Sequence, residues 1–155
     1  MKLTSTFKQG EFIPKKYTCD ALDISPPLQI SDVPSGAKSL ALIVDDPDAP
    51  SKTWLHWTVW NIPVDTTDIP EGVGSLKGQK EKYKSPLWLE GTTDFGRTGY
   101  GGPCPPSGTH TYRFKLYALD KMLVLEQGAT LAQLENAMKG HVIAQAELDG
   151  EYKRG

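Results

Sequence analysis

Hydrophobic alternation divides the chain into short strands. Over Lys38–Asp46, Leu40, Leu42 and Val44 fall on one face and Ala41 and Ile43 on the other, so both faces are apolar. That pattern predicts a central strand covered on both sides. Trp54–Ile62 is aromatic and β-branched and predicts a second strand. Thr109–Leu119 alternates more cleanly, with His110, Tyr112, Phe114, Leu116 and Ala118 on one face and Thr111, Arg113 and Lys115 on the other. Val142–Tyr152 predicts a last strand, and Leu3–Phe7 and Leu28–Val33 carry weaker signals. A single helix is expected near Thr130–Lys139, with Thr130 as N-cap and Gly140 as its stop. The expected architecture is mostly β: an antiparallel sandwich in one domain over residues 1–155, with one or two short peripheral helices.

Composition adds loops to this picture. Fifteen glycines and twelve prolines in 155 residues favour many turns, and Pro63–Gly108 reads as a long ordered loop, a class that is usually functional. The formal net charge of -2 gives no global field for nucleic acid or an anionic membrane, so an anion site has to be local. No apolar run approaches the length of a membrane span, and the N-terminal MKLTSTFKQG has no signal-peptide pattern. A cytoplasmic location is the expectation. Cys19 and Cys104 are too far apart for a CxxC motif and are expected as free thiols. A disulfide stays open, because a sequence does not show whether two Cα atoms approach.

Two motif-like stretches carry no chemistry on this reading. Asp94-Phe95-Gly96 spells a kinase tripeptide without the loops that give it meaning, and Glu71–Gly78 lacks phosphate-loop spacing and reads as a turn.

The chemistry gathers at strand ends. Asp46 closes one strand, His56 lies near the start of the next, and His110 and Tyr112 open a third on one face. If the second and third strands run in the same direction, these four groups meet at one end of the sheet, with Trp54 beside them. The preceding GYGGPCPPSGTH offers Gly101 and Gly102 for close backbone approach and exposed N–H groups, stiffened by Pro103, Pro105 and Pro106. Imidazoles, a phenol and backbone N–H groups suit a small oxyanion such as phosphate or carboxylate. Asp46 fits such a site if it holds a histidine protonated, and His56 is the expected partner. Asp48 reads as a turn residue. Against this, a single half-buried histidine is more often structural, and the acids alone would be turn formers.

The segments DDPDAP, HWTVWNIP, TDFGRTGYGGP and PPSGTHTYRFKLYALD resemble the phosphatidylethanolamine-binding protein family, also called Raf kinase inhibitor-like proteins, in its short bacterial and archaeal branch. The resemblance extends to YTCDALDISPPL and MKGHVIAQAELDGEYKR and so covers nearly the whole chain. It implies a large antiparallel sheet packed on a smaller one. It also implies an anion pocket built from Asp46, His56, Gly102, Pro103, His110 and Tyr112, with Trp54 at the mouth, and no cofactor or metal. Many members carry Arg between the His and Tyr, where this chain has Thr111. Thr111 is expected on the opposite face, leaving the pocket intact without that Arg's salt bridge. The chain ends soon after its last strand, so the pocket is expected to be more open or covered by a partner subunit, and a homodimer is expected from the short members. The implied function is a regulatory or inhibitory binding module for a phosphate-like headgroup, with a kinase or serine protease as protein partner. Serine protease inhibition is the alternative, and phosphoester hydrolysis ranks below both.

Overall fold

The computed structural model describes residues 1–74 and 88–154. Its strands are β1 (Lys2–Thr4), β2 (Leu28–Ser31), β3 (Ser39–Asp46), β4 (Trp54–Ile62), β5 (Asp68–Ile69), β6 (Leu89–Glu90), β7 (His110–Leu119) and β8 (Val142–Tyr152). Among the described residues, one helix, α1 (Leu131–Met138), and a short 3-10 turn at Lys15–Tyr17 complete the elements.

Two antiparallel sheets form: a small one in the order β1-β2-β5 and a large one in the order β6-β4-β3-β7-β8. β3 is central and buried along its whole length, as its apolar faces require. It pairs antiparallel with both β4 and β7. Those two strands therefore run in the same direction, and their starts lie at the end of the sheet where β3 finishes.

The inner face of the large sheet, with Leu40, Leu42, Val44, Phe114 and Leu116, packs on Leu3, Leu28 and Ile30 of the small sheet in one core. On the outer face Ala41, Ile43 and Trp60 are covered by Leu134 and Met138 of α1. The helix begins in a capping box: Thr130 Oγ1 accepts from the Gln133 amide and the Gln133 side chain accepts from the Thr130 amide. Also on the outer face, the buried Asp45 carboxylate accepts hydrogen bonds from Arg113 and Lys115.

The expected strands over 38–46, 54–62, 109–119 and 142–152 all form to within a residue, whereas Leu3–Phe7 and Leu28–Val33 shorten to the segments that pair with each other. The turn expected over Glu71–Gly78 extends beyond the described residues; its described part, 71–74, is a turn whose Gly72 and Gly74 amides donate to Ser25.

Candidate functional site

Asp46 is the last residue of β3 and pairs with Trp54, the first of β4. The next pair is Asp45 with Leu55 and the one after is Val44 with Trp57, so His56 has no counterpart in β3. It is the extra residue of a β-bulge. A bulge breaks strict alternation and re-aims a side chain. Trp57 still enters the inner core, yet His56 lines the same cavity as Trp54. Alternation along β4 puts Trp54 and His56 on one face but does not reveal that His56 and its neighbour Trp57 both turn inward.

The cavity measures about 390 Å³. Asp46, His56 and Tyr112 supply its polar groups. Trp54 and Phe95 give it an aromatic lining, and Ala49, Pro50, Cys104, Pro105 and Pro106 add further apolar surface. The rings of Trp54 and His56 both meet Phe95 edge-on, at centroid distances of 5.8 and 5.3 Å. Phe95 is held in place by its neighbour: Asp94 accepts from the Leu55 amide at 2.7 Å and from Lys52 at 3.0 Å. The tripeptide set aside in the sequence thus builds one side of the cavity. Its signal was the TDFGRTGYGGP segment, which carried the family resemblance without singling out Phe95.

The Asp46 carboxylate does not pair with His56 as expected. One oxygen accepts from His110 Nδ1 at 2.7 Å and the other from the Asp48 amide at 2.8 Å. Asp48 in turn accepts from the Thr111 amide at 2.8 Å, clipping the acidic turn to the start of β7. β3 lies beside both β4 and β7, and what separates the two histidines is their own bonding: the His56 Nδ1 proton is taken by the Gly101 carbonyl, whereas His110 Nδ1 is turned to Asp46. His110 is buried but does not line the cavity; it reaches the site through Asp46 and by stacking on Tyr112, with centroids 6.4 Å apart.

His56 Nδ1 donates to the Gly101 carbonyl at 2.6 Å, which leaves Nε2 as the ring's other polar atom. Burial lowers the His56 pKa below the ordinary imidazole value, against the opposing pull of the Gly101 carbonyl and the Asp46, Asp23 and Asp45 charges. The expectation of a charged His56 is therefore reversed, because the ring is 3% exposed and its expected counter-ion serves His110. Burial, with Asp46 and Asp48 close by, pushes the Tyr112 phenol far above its usual pKa, so it keeps its proton.

The glycine loop also differs from expectation. The Gly101 amide donates to the His56 carbonyl at 3.0 Å and the Gly102 amide to Asp23 Oδ1 at 2.7 Å. Neither N–H is left for a ligand, and neither Gly102 nor Pro103 lines the cavity. Gly102 is needed for packing: a Cβ there would strike the Tyr17 carbonyl and the Asp23 carboxylate. The loop is tied to residues 17–23 by three further links. Tyr100 O–H donates to the Tyr17 carbonyl at 2.7 Å, and the Cys19 amide donates to the Pro103 carbonyl at 3.1 Å. Cys19 and Cys104 form a disulfide, with Cα atoms 5.4 Å apart across a sequence separation of 85. The free-thiol expectation is thereby corrected: distance along the chain hid the contact between the two loops.

The phosphatidylethanolamine-binding protein family matches residues 3–153. The chain is 52% identical over 156 residues to a UPF0098 protein of Pyrococcus horikoshii, covering 99% of this chain and 77% of that one. A UPF0098 protein of Methanothermobacter thermautotrophicus is 50% identical over 152 residues, covering 98% and 97%. Among solved structures, the phosphatidylethanolamine-binding protein homologue CT736 of Chlamydia trachomatis superposes with a TM-score of 0.89 at 44% identity, over 99% of this chain and 97% of that one. E. coli YbcL, a member of the mammalian PEBP family, superposes with a TM-score of 0.88 at 34% identity, over 99% and 98%. The two packed antiparallel sheets and these similarities make the chain a member of the phosphatidylethanolamine-binding protein family. Among the described residues, no helix is long and apolar enough to cross a membrane.

Proposed function

We propose that this protein is a non-catalytic binding module whose cavity takes a small ligand with a phosphoryl-type head and a carbon substituent. The observation that carries this reading is the division of the cavity: polar groups from Asp46, His56 and Tyr112 under apolar walls from Trp54, Phe95 and the prolines. A volume of about 390 Å³ exceeds what a bare oxyanion fills, so the walls are there for the substituent. Cys104, the one thiol residue at the cavity, is spent in the disulfide and offers no thiolate nucleophile.

The test is calorimetric titration with phosphorylethanolamine and methyl phosphate. We expect saturable binding, weakened about tenfold by Tyr112→Phe through loss of one buried hydrogen bond. Absence of binding, or equal binding by the variant, contradicts the reading. A kinase or serine protease as protein partner is a second reading. It is favoured by the exposed stretch at Cys104 and 106–109, which the prolines and the disulfide hold rigid, and is tested by titrating the protein against such enzymes. We retain a cytoplasmic location as part of the proposal. The disulfide restricts that location to a source whose cytosol tolerates such bonds, as in hyperthermophiles, since they are rare in the cytosol of mesophiles.

A further inference from the structure

The hydrogen-bonding groups at the cavity are unbalanced. Two of them accept. The His56 Nδ1 proton is committed to the Gly101 carbonyl, so the neutral ring offers a lone pair at Nε2. The Asp46 carboxylate is the second acceptor, and its resident donors, His110 and the Asp48 amide, leave lone pairs on both oxygens. Among the buried side chains that line the cavity one donates, the Tyr112 O–H; the Trp54 indole N–H is a further donor at a half-buried position. The amides of Gly101 and Gly102 are consumed within the protein, and no lysine or arginine is among the described residues lining the cavity.

A fully ionised oxyanion fits this set poorly. Sulfate or a phosphate dianion carries only lone pairs and would face those of His56 and Asp46. Buried polar groups left without partners are costly, and two anionic oxygens in a water-poor pocket repel. A ligand with one acidic O–H removes the mismatch at His56 and carries one negative charge fewer toward Asp46.

We propose that the site selects an oxyanion that brings its own proton, namely the monoanion of a phosphomonoester. Its P–O–H donates to His56 Nε2, and a second phosphoryl oxygen accepts from the Tyr112 O–H. This rests on the phosphoryl reading of the cavity given above. No covalent bond is made or broken, and the proton stays on the ligand.

The surroundings of His56 decide where that proton resides. From β3 it faces Asp46, with Asp45 acting through the sheet from the outer face, from β7 Tyr112, and from the 15–23 segment Asp23; the Gly101 carbonyl and the Phe95 ring complete the shell. The charges among these are all negative and would favour an imidazolium, yet burial outweighs them and the ring stays neutral. A neutral imidazole accepts the ligand's proton in a hydrogen bond and leaves no cation to attract a dianion.

The experiment is isothermal titration of the wild-type protein with methyl phosphate, sulfate, dimethyl phosphate and glycerophosphoethanolamine between about pH 5.5 and 8, spanning the second phosphate ionisation near about 6. The expected result is binding of methyl phosphate that falls about tenfold per pH unit above that ionisation, following its monoanion. Sulfate and dimethyl phosphate should bind at least about tenfold more weakly at the acid end. His56→Gln, whose amide can donate as well as accept, should narrow the methyl phosphate to sulfate ratio by about tenfold or more. Thermal melting of this variant establishes that it is folded.

Each other outcome overturns a stated part. Sulfate binding that strengthens toward acid as steeply as methyl phosphate would place the proton on His56 and end the proposal. So would a diester binding as tightly as the monoester. Glycerophosphoethanolamine binding tightly at all pH values would make an ammonium the donor and end it too. If none of the four ligands binds, the phosphoryl reading itself fails; if all bind alike, only the proton selectivity fails.

Discussion

His110 Nδ1 donates to the Asp46 carboxylate across 2.7 Å and joins the end of β3 to the start of β7. Both side chains are almost wholly buried, at 8% and 5% exposure. The pair fixes the carboxylate beside the cavity, and through Asp48 the same turn grips the Thr111 amide.

Removing His110 should therefore act on the site indirectly. His110→Ala leaves a buried carboxylate with one donor fewer, and we expect a stability loss of about 1–3 kcal/mol. Ligand affinity should fall by less than that, because His110 does not line the cavity and reaches it only through Asp46 and Tyr112. His110→Asn, which keeps a donor, should recover part of both. Urea denaturation and calorimetric titration of the two variants check this; an alanine variant as stable as the parent would show that the pair contributes nothing.

The depressed pKa of His56 makes a statement about acid stability. Above about pH 6.5 the ring is neutral in both folded and unfolded chains and its contribution is complete. As pH falls below that value the unfolded chain takes up the proton first, so stability is lost until the folded pKa is reached. One such group changes stability by at most about 1.4 kcal/mol per pH unit. His56→Gln should flatten the stability profile between about pH 6.5 and 5 relative to the parent. Parallel profiles for the two proteins would mean that His56 titrates alike folded and unfolded.

The disulfide closes a long loop and pins one cavity wall. Its removal by Cys19→Ser with Cys104→Ser should cost about 2–5 kcal/mol of stability. It should also weaken ligand binding, because Cys104, Pro105 and Pro106 line the cavity. Intact mass without reductant should be lower by the mass of two hydrogen atoms than after reduction. A chain that carries two free thiols under non-reducing conditions contradicts this.

Much of this fold is legible in residue alternation. The doubly apolar Lys38–Asp46 marks the central strand, and the alternating Thr109–Leu119 marks the strand that places His110 and Tyr112 on the inner face. The gathering of Asp46, His56 and Tyr112 at one sheet end could be read from their positions at strand ends once two strands were taken to run the same way. Three features could not. The bulge at His56 depends on the β3–β4 register, which periodicity does not report. The choice of His110 over His56 as Asp46's partner depends on the Gly101 carbonyl, which a distant loop brings to His56 Nδ1. The disulfide and the glycine-loop bonds depend on two loops meeting across the fold. The donor character assigned to Gly101 and Gly102 failed for the same reason: their amides look free in sequence and are taken in space.

The central claim is that the cavity beneath Trp54 and Phe95 holds a phosphoryl group. A crystal structure grown with phosphorylethanolamine tests it most directly. The account predicts the phosphoryl group within hydrogen-bond distance of Tyr112 Oη and His56 Nε2, with the carbon chain leading out between Trp54 and the prolines. A phosphoryl group found instead in the basic cleft at Lys15, Lys153 and Arg154, with the cavity holding only water, would contradict it.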